Sequence, residues 1–486
     1  MDSDKRWVGR NAHQDLSPCE PVASGQDDSM MRRNAFLVWI LLLIGFTAGC
    51  ATRDRYAYDA IRADTQNTAA RPEGQRVNPQ TVLPEGPLSL RDAIRIALVN
   101  NPDLQMAAAR IRQTDALIEK SRSAFYPTLG FYTEYLRGNA PSAYLFKKID
   151  QREIDFSEDF NNPDVFDNFE SGLNARWNLY RGGRDPLGHQ MAETGRTISH
   201  LDRQSVHNAL AASVIQTYYD HLTAGAFIEI ARNSVATVED QLRVMTVRYD
   251  AGGALKSDLL SLRVRRSEAR EEEVRSRNQL ALTHAALANL LGIDIRQPLA
   301  LAETATTGLS VPDQFDGGLA YALGHRPEIQ GLHEKVRQSR MAVDKAQAGY
   351  IPSIDAFGKL YYDDEDMSYD LDRENWTAGI LFNWELFQGF YTRADENEAR
   401  AIFEEMLLRD RKTTLAVELE VKTAYLGLAD AQARLEVAHQ RVANAEESLN
   451  LVAQQYEGGS ATVTRYLEAE LACNQARLSQ AAALYD

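Results

Sequence analysis

Two heptad stripes, 207 residues apart, dictate the plan of this chain. The first runs Ile228, Ala231, Val235, Val238, Leu242, Met245, Tyr249; the second runs Leu435, Ala438, Val442, Ala445, Leu449, Val452, Tyr456. Both step 3, 4, 3, 4, 3, 4, the spacing of an a/d seam on a coiled-coil helix. Each closes on a glycine tip, Arg248-Tyr249-Asp250-Ala251-Gly252-Gly253 and Gln455-Tyr456-Glu457-Gly458-Gly459-Ser460. Glycine takes positive φ without a Cβ clash, so it ends a helix and lets the chain turn back. Apolar spacing resumes after each tip, at Leu259 and Leu262 and again at Tyr466 and Leu467. Each half therefore predicts a helical hairpin closed by a Gly-Gly turn. A repeat this long is one structural unit used twice, not a solenoid of short repeats.

The segments before the hairpins repeat as well. Leu90, Ala93, Ile94, Ala97 and Leu98 make a helical face that ends at Asn101-Pro102, because the residue before proline avoids the helical region. A second helix, 103–124, stops before Pro127. The apolar period then changes to two. Leu129, Phe131, Thr133 and Tyr135 alternate with polar neighbours, and so do Phe169, Ser171, Leu173, Ala175, Trp177 and Leu179. Strands of about ten residues with one apolar and one polar face match transmembrane β-strands; a sheet packed on a soluble core is the plainer alternative. The loop between them, 138–168, reads as polar and acidic. Pro327 and Pro352 repeat Pro102 and Pro127 at an offset of 225, whereas Trp384-Glu385-Leu386-Phe387 repeats Trp177-Asn178-Leu179-Tyr180 at 207. The first strand hairpin thus carries the longer loop. Trp376, Ala378, Ile380, Phe382, Trp384 and Leu386 predict the last outward-facing strand. Asp363-Asp364-Glu365-Asp366 reads as a solvated acidic loop, since it lacks the glycine and closing Glu of an EF-hand.

The domain reading follows. Residues 1–50 hold an upstream extension and a signal, and 51–87 a proline-bearing tether. The first repeat covers 88–292, with a β-hairpin at 127–181 and helices at 187–291. A linker spans 293–317. The second repeat covers 318–486, with a β-hairpin at 352–388 and helices at 390–486 that stop about ten residues short of the first copy's pattern.

Arg32-Arg33 precede an apolar run, 35–46, that is shorter than the roughly 20 residues a membrane-spanning helix needs. With Thr47-Ala48-Gly49-Cys50 behind it, the run is a secretory signal. The net charge of −16 argues against a nucleic-acid partner. Three scattered cysteines make no disulfide framework. No zincin, P-loop or nucleophile-elbow motif is present, and the nine histidines lack metal spacing, so the sequence predicts no enzyme, no cofactor and no metal.

The Leu90-x-x-Ala93-x-x-x-Ala97-Leu98-x-x-Asn101-Pro102 run, the Pro127 and Pro352 strand starts, Trp177-x-Leu179-Tyr180-x-Gly182-Gly183, and the paired Tyr249-x-x-Gly252 and Tyr456-x-x-Gly459 tips resemble the TolC-like outer-membrane efflux family. The resemblance implies a mainly helical fold with transmembrane β-structure. Duplicated long helical hairpins would form a periplasmic α-barrel, and four strands per chain would contribute to a trimeric 12-stranded outer-membrane β-barrel. A single four-stranded sheet cannot close on itself, and an open edge cannot face lipid.

The resemblance also implies a passive exit duct for a tripartite efflux or type I secretion system. Its partners would be two further copies, outer-membrane lipid, a periplasmic adaptor and an inner-membrane pump of RND or ABC type. The Ala48-Gly49-Cys50 end resembles a lipobox, which implies lipidation at Cys50 and an outer-membrane lipoprotein extending into the periplasm. Ordinary signal cleavage with Cys50 unmodified is the alternative. The tips Gly252, Gly253, Gly458, Gly459 and Ser460 would meet the adaptor, or the glycines would only cap helices. Tyr249, Asp258, Ser261, Tyr456, Arg465 and Glu468 would form a periplasmic gate, with Asp258 and Arg465, opposite in charge at equivalent positions, tying adjacent helices. The competing reading is a lipid-anchored, periplasm-spanning coiled-coil protein or adhesin without a pore. It has no use for aromatic outward strand faces. A secreted enzyme is the third reading, and it lacks a motif.

Overall fold

The structure is a computed structural model that describes residues 86–303, 314–366 and 373–486, together with Tyr58 and Ile61. The signal, Cys50 and nearly all of the tether lie outside the described residues. Residues 82–486 form one compact unit. Its first half comprises α1 (Leu90–Asn100), α2 (Pro102–Arg122), β1 (Thr128–Gly138), α3 (Pro141–Asp150), β2 (Phe166–Arg181), α4 (Arg184–Asp250) and α5 (Lys256–Leu291). The second comprises α6 (Phe315–His325), α7 (Pro327–Gln347), β3 (Ser353–Asp364), β4 (Glu374–Asn383), α8 (Tyr391–Glu457) and α9 (Val463–Tyr485). No helix among the described residues is long and apolar enough to cross a membrane.

Capping explains the helix starts. Ser89 accepts from the Asp92 N–H and Asn101 from the Asp103 N–H, with Pro102 at the first position of α2. The long helices α4 and α8 are both 67 residues, roughly 100 Å at 1.5 Å per residue. Each begins after a pair of left-handed residues, Gly182 (φ 63°) and Gly183 (φ 87°) in one half and Gly389 (φ 60°) and Phe390 (φ 68°) in the other. Phe390 thus holds a conformation that its Cβ disfavours.

The four strands form one antiparallel sheet in the order β1-β2-β3-β4, so the two halves meet at the β2–β3 ladder. Directly opposed residues share a face. Glu170 opposes Glu134 and Asp363, and Asn174 opposes Gly130 and Lys359, which builds a polar face. Leu173 opposes Phe131 and Leu360, and Leu360 opposes Trp376, which builds an apolar one. Phe131, Trp376, Ile380 and Phe382 on that face are exposed.

Three expectations need correction. The 138–168 connection is no featureless acidic loop: it contains α3. Asp363 and Asp364 are the buried end of β3, not a solvated loop. β4 ends at Asn383, so Trp384 and Leu386 lie beyond it, although the matching Trp177 and Leu179 lie within β2. The cause is register: Trp177 opposes Ala356 within β3, whereas β3 starts at Ser353 opposite Asn383, so Trp384 has no strand residue opposite it. Both indoles nevertheless make the same contact. Trp177 Nε1 donates to Phe125 O and Trp384 Nε1 to Tyr350 O, each at 3.1 Å.

The linker is partly ordered too. Leu88 N–H donates to Ala300 O at 2.7 Å, and Ala302 N–H to Leu88 O at 3.0 Å. The buried Tyr218 hydroxyl lies within 2.8 Å of both the Leu88 and Ala302 carbonyls. Around it Ile96, Leu104, Leu210, Val214, Leu287 and Leu291 pack into the main core.

Candidate functional site

The tips are built twice by the same backbone. Gly252 and Gly459 both have φ 76°. Gly253 N–H donates to Arg248 O and Ser460 N–H to Gln455 O, each at 2.8 Å, the long bond of a Schellman turn. Gly253 and Gly458 do not take positive φ, so their lack of a side chain is not a backbone requirement. Gly252, Gly253, Gly458, Gly459 and Ser460 are all exposed.

Beneath the tips, the two hairpins share a core. Val238, Met245, Leu259 and Leu262 of the first pack with Val463 of the second, flanked by Leu242, Tyr456 and Leu467. Tyr456 stacks on Tyr466 with ring centroids 5.4 Å apart, and the Arg248 guanidinium carbon lies 5.9 Å from the Tyr456 centroid. Burial pushes the Tyr456 hydroxyl above its ordinary pKa; Arg248 opposes the rise and the Asp258 charge adds to it. Of the predicted gate residues, Tyr456 and Asp258 are half-buried beneath the tips. Tyr249, Ser261, Arg465 and Glu468 are exposed. Within one chain Asp258 and Arg465 form no ion pair; the Asp258 carboxylate instead accepts from the Ser257 hydroxyl at 3.4 Å.

The charged contact that does join the hairpins lies deeper. Glu470, 2% exposed, accepts from Ser234 Oγ at 2.8 Å and from Arg265 Nε and Nη2 at 3.1 and 2.9 Å. Asn474 Nδ2 donates to Oε1, the oxygen that also accepts from Ser234. The sequence carried a signal for it. Glu470 interrupts the stripe Val463, Tyr466, Glu470, Cys473 at steps of 3, 4 and 3, where an unpaired carboxylate would be costly.

At the other end of the unit, α3 folds back over the polar face of the sheet. Lys147 Nζ lies 2.5 Å from Glu170 Oε2 and 2.8 Å from Asp363 Oδ1. Asn168 also donates to Asp363 Oδ1, and Gln151 to Asn168 Oδ1. Burial alone would lower the Lys147 ammonium pKa; its hydrogen bonds to Asp363 and Glu170 outweigh this and raise it. Lys148 pairs with Glu153 and Glu365, and Asn375 donates to Asp150 O. Sequence reading missed this cluster because its partners come from three separate segments. Among the described residues no group of His, Cys, Asp or Glu is arranged to hold a metal ion.

Comparison with known proteins fits this architecture. The family model for outer membrane efflux proteins matches residues 93–293 and 319–486. The pyoverdine export outer membrane protein OpmQ of Pseudomonas aeruginosa is 23% identical over 386 residues, covering 79% of either chain. The toluene efflux pump outer membrane protein TtgI of Pseudomonas putida is 23% identical over 459 residues, covering 90% of this chain and 92% of its own. The crystal structure of the outer membrane protein VceC of Vibrio cholerae superposes with a TM-score of 0.69 at 18% identity, covering 82% of this chain and 92% of that one. The duplicated hairpins, the single four-stranded sheet and the match across both repeats place this chain in the outer membrane efflux protein family, whose members are channels.

Proposed function

We propose that three copies of this chain close into one outer-membrane channel-tunnel, the passive exit duct of a tripartite efflux or secretion system. The observation that carries this reading is the sheet. Its four strands leave β1 and β4 with open edges, and its apolar face exposes Phe131, Trp376, Ile380 and Phe382. Open edges facing lipid leave backbone groups unpaired, and closure by two further copies removes them. Native mass spectrometry of the detergent-extracted protein tests this together with conductance in planar bilayers. A trimer that conducts is expected; a conducting monomer would overturn it.

Three finer readings belong to the same proposal. Cys50 carries the lipid anchor, and Cys50→Ser leaves the trimer intact; mass spectrometry of an unmodified Cys50 would refute the anchor. The tips Gly252, Gly253, Gly458, Gly459 and Ser460 receive a periplasmic adaptor that couples the duct to an RND-type or ABC-type pump. Loss of adaptor binding on Gly253→Trp, with the helices intact, is the expected result.

The gate comprises Tyr249, Asp258, Ser261, Tyr456, Arg465 and Glu468, with Asp258 pairing Arg465 of a neighbouring copy. Conductance of Asp258→Ala, Arg465→Ala and the double variant measures that pair. Simple addition of the two single effects would remove it. The relatives named for pyoverdine and toluene make organic solutes the cargo class to assay first.

A further inference from the structure

Helix α3 occupies a place that a freely open duct leaves empty. Every sheet residue whose side chain it engages, from Asn168 and Glu170 to Asp363, Tyr361 and Asn375, belongs to the polar face. That coverage is local. Asn168, Glu170 and Gly172 of β2 are buried, while Asn174 and Arg176, further along the same face, are exposed. Tyr144 of α3 closes the cover from above, stacked edge-on against the buried Phe166 at 5.6 Å.

The size of a barrel turns this into a constraint. Twelve strands spaced about 4.8 Å apart and tilted about 40° enclose a backbone diameter of ~24 Å. Side chains narrow that further, and one helix with its side chains is about 10–12 Å across. Three copies of α3 on the polar faces narrow the duct at that level to a gap that passes only small solutes.

We infer that α3 is a lid on the outward mouth of the duct, and that Lys147, latched between Glu170 and Asp363, sets the aperture through which cargo leaves. The inference rests on the trimeric-channel reading. The docked lid is poised rather than permanent. Asp363 Oδ2 and Gln151 Oε1 are buried beneath it without hydrogen-bond partners, and water would satisfy both on undocking. The flanking connections, Asn139-Ala140 before α3 and 151–165 after it, lie outside the strands, so the strand ladders do not themselves hold the helix down.

The test reads access to the polar face below the lid. Asn174→Cys places a thiol about 13 Å along β2 from Glu170, at 3.3 Å per residue. It is labelled from outside the cell with membrane-impermeant maleimides, one small and one coupled to a bulky polyethylene glycol. With Lys147 intact, the small reagent reacts and the bulky one reacts at least tenfold more slowly. Lys147→Ala brings the bulky rate to within about twofold of the small one, Glu170→Gln gives an intermediate rate, and Lys147→Arg restores exclusion. Each variant is first confirmed as a trimer, so misfolding is separated from unlatching. Equal exclusion in Lys147→Ala and wild-type trimers would overturn the lid. Absence of a conducting trimer in the wild type would instead overturn the channel reading beneath it.

Discussion

The two long hairpins are equal in plan and unequal in cover. α4 and α8 have the same length, start after the same left-handed pair and end on turns with the same φ. Yet α4 buries twelve residues, from Thr194 to Met245, and α8 only five. The difference lies in neighbours. α4 is packed by α1, α2, α5, α7 and α9, whereas α8 is flanked mainly by α7 and α9. Leu408, Leu415, Leu419 and Leu426 recur on α8 at steps of 7, 4 and 7 and stay exposed. The same kind of stripe is therefore a core in one half and an unmet surface in the other, and a second copy of the chain is what the trimer reading places against it.

The sharpest way to break that comparison is charge on the two stripes. Leu419→Glu with Leu426→Glu should leave the helical circular dichroism unchanged and abolish the trimer in native mass spectrometry. Val214→Asp, at a fully buried site on α4, should instead unfold the chain itself, costing at least about 3 kcal/mol. If both variants fail in the same way, the two helices are not differently covered.

Next in size is the tie between hairpins. Glu470→Leu leaves the largely buried Arg265 with only Glu268, at 3.5 Å, beside it, and removing one partner of a buried pair costs about 3–5 kcal/mol. Amide exchange in α9 should speed up by orders of magnitude while that in α1 stays slow. Unchanged exchange in α9 would mean that the hairpins are held by their apolar core alone.

Smaller effects test the turns. Gly252→Ala and Gly459→Ala each force a Cβ into the left-handed region and should cost about 1–2 kcal/mol, whereas Gly253→Ala should cost much less. Phe390→Gly should stabilise by a similar small amount, read as a rise in melting temperature.

Smallest is a pH effect confined to the first hairpin. Burial, with the nearby His284, holds the His221 imidazole below its ordinary value of 6.5. Its neutral form is favoured in the fold, so its contribution is present above pH 6.5 and is lost as pH falls through the lowered folded value. The acid-side drop in melting temperature should shrink in His221→Gln. An unchanged drop would assign it to other groups.

Much of this was legible in the residues because it is periodic. The 3-4 stripes, the two-residue alternation and the glycine tips announce helix, strand and turn, and their recurrence at a fixed offset announces the duplication. What stayed hidden is not periodic. Lys147 meets Glu170 and Asp363, which stand 23 and 216 residues away, and no local pattern joins them. α3 is only ten residues long and was lost among acidic neighbours. Trp384 carried the same motif as Trp177, but pairing decides which of the two lies in a strand. Asp258 and Arg465 stand at equivalent positions of the two halves with opposite charges, and within one chain they form no ion pair. The Asp258 carboxylate accepts from Ser257 instead.

The equal length of α4 and α8 has a consequence for how such a chain can change. One residue inserted into either helix turns everything beyond it by about 100° and lifts its tip by about 1.5 Å relative to its twin. The inserted helix would lose its stripe and its level at one stroke. Single-codon insertions should therefore be purged from both helices, and tolerated changes should come as whole heptads, matched in the two halves. The extra length of the first half before its long helix bears this out. It lies in the connection between β1 and β2, where it disturbs no helical register and holds α3.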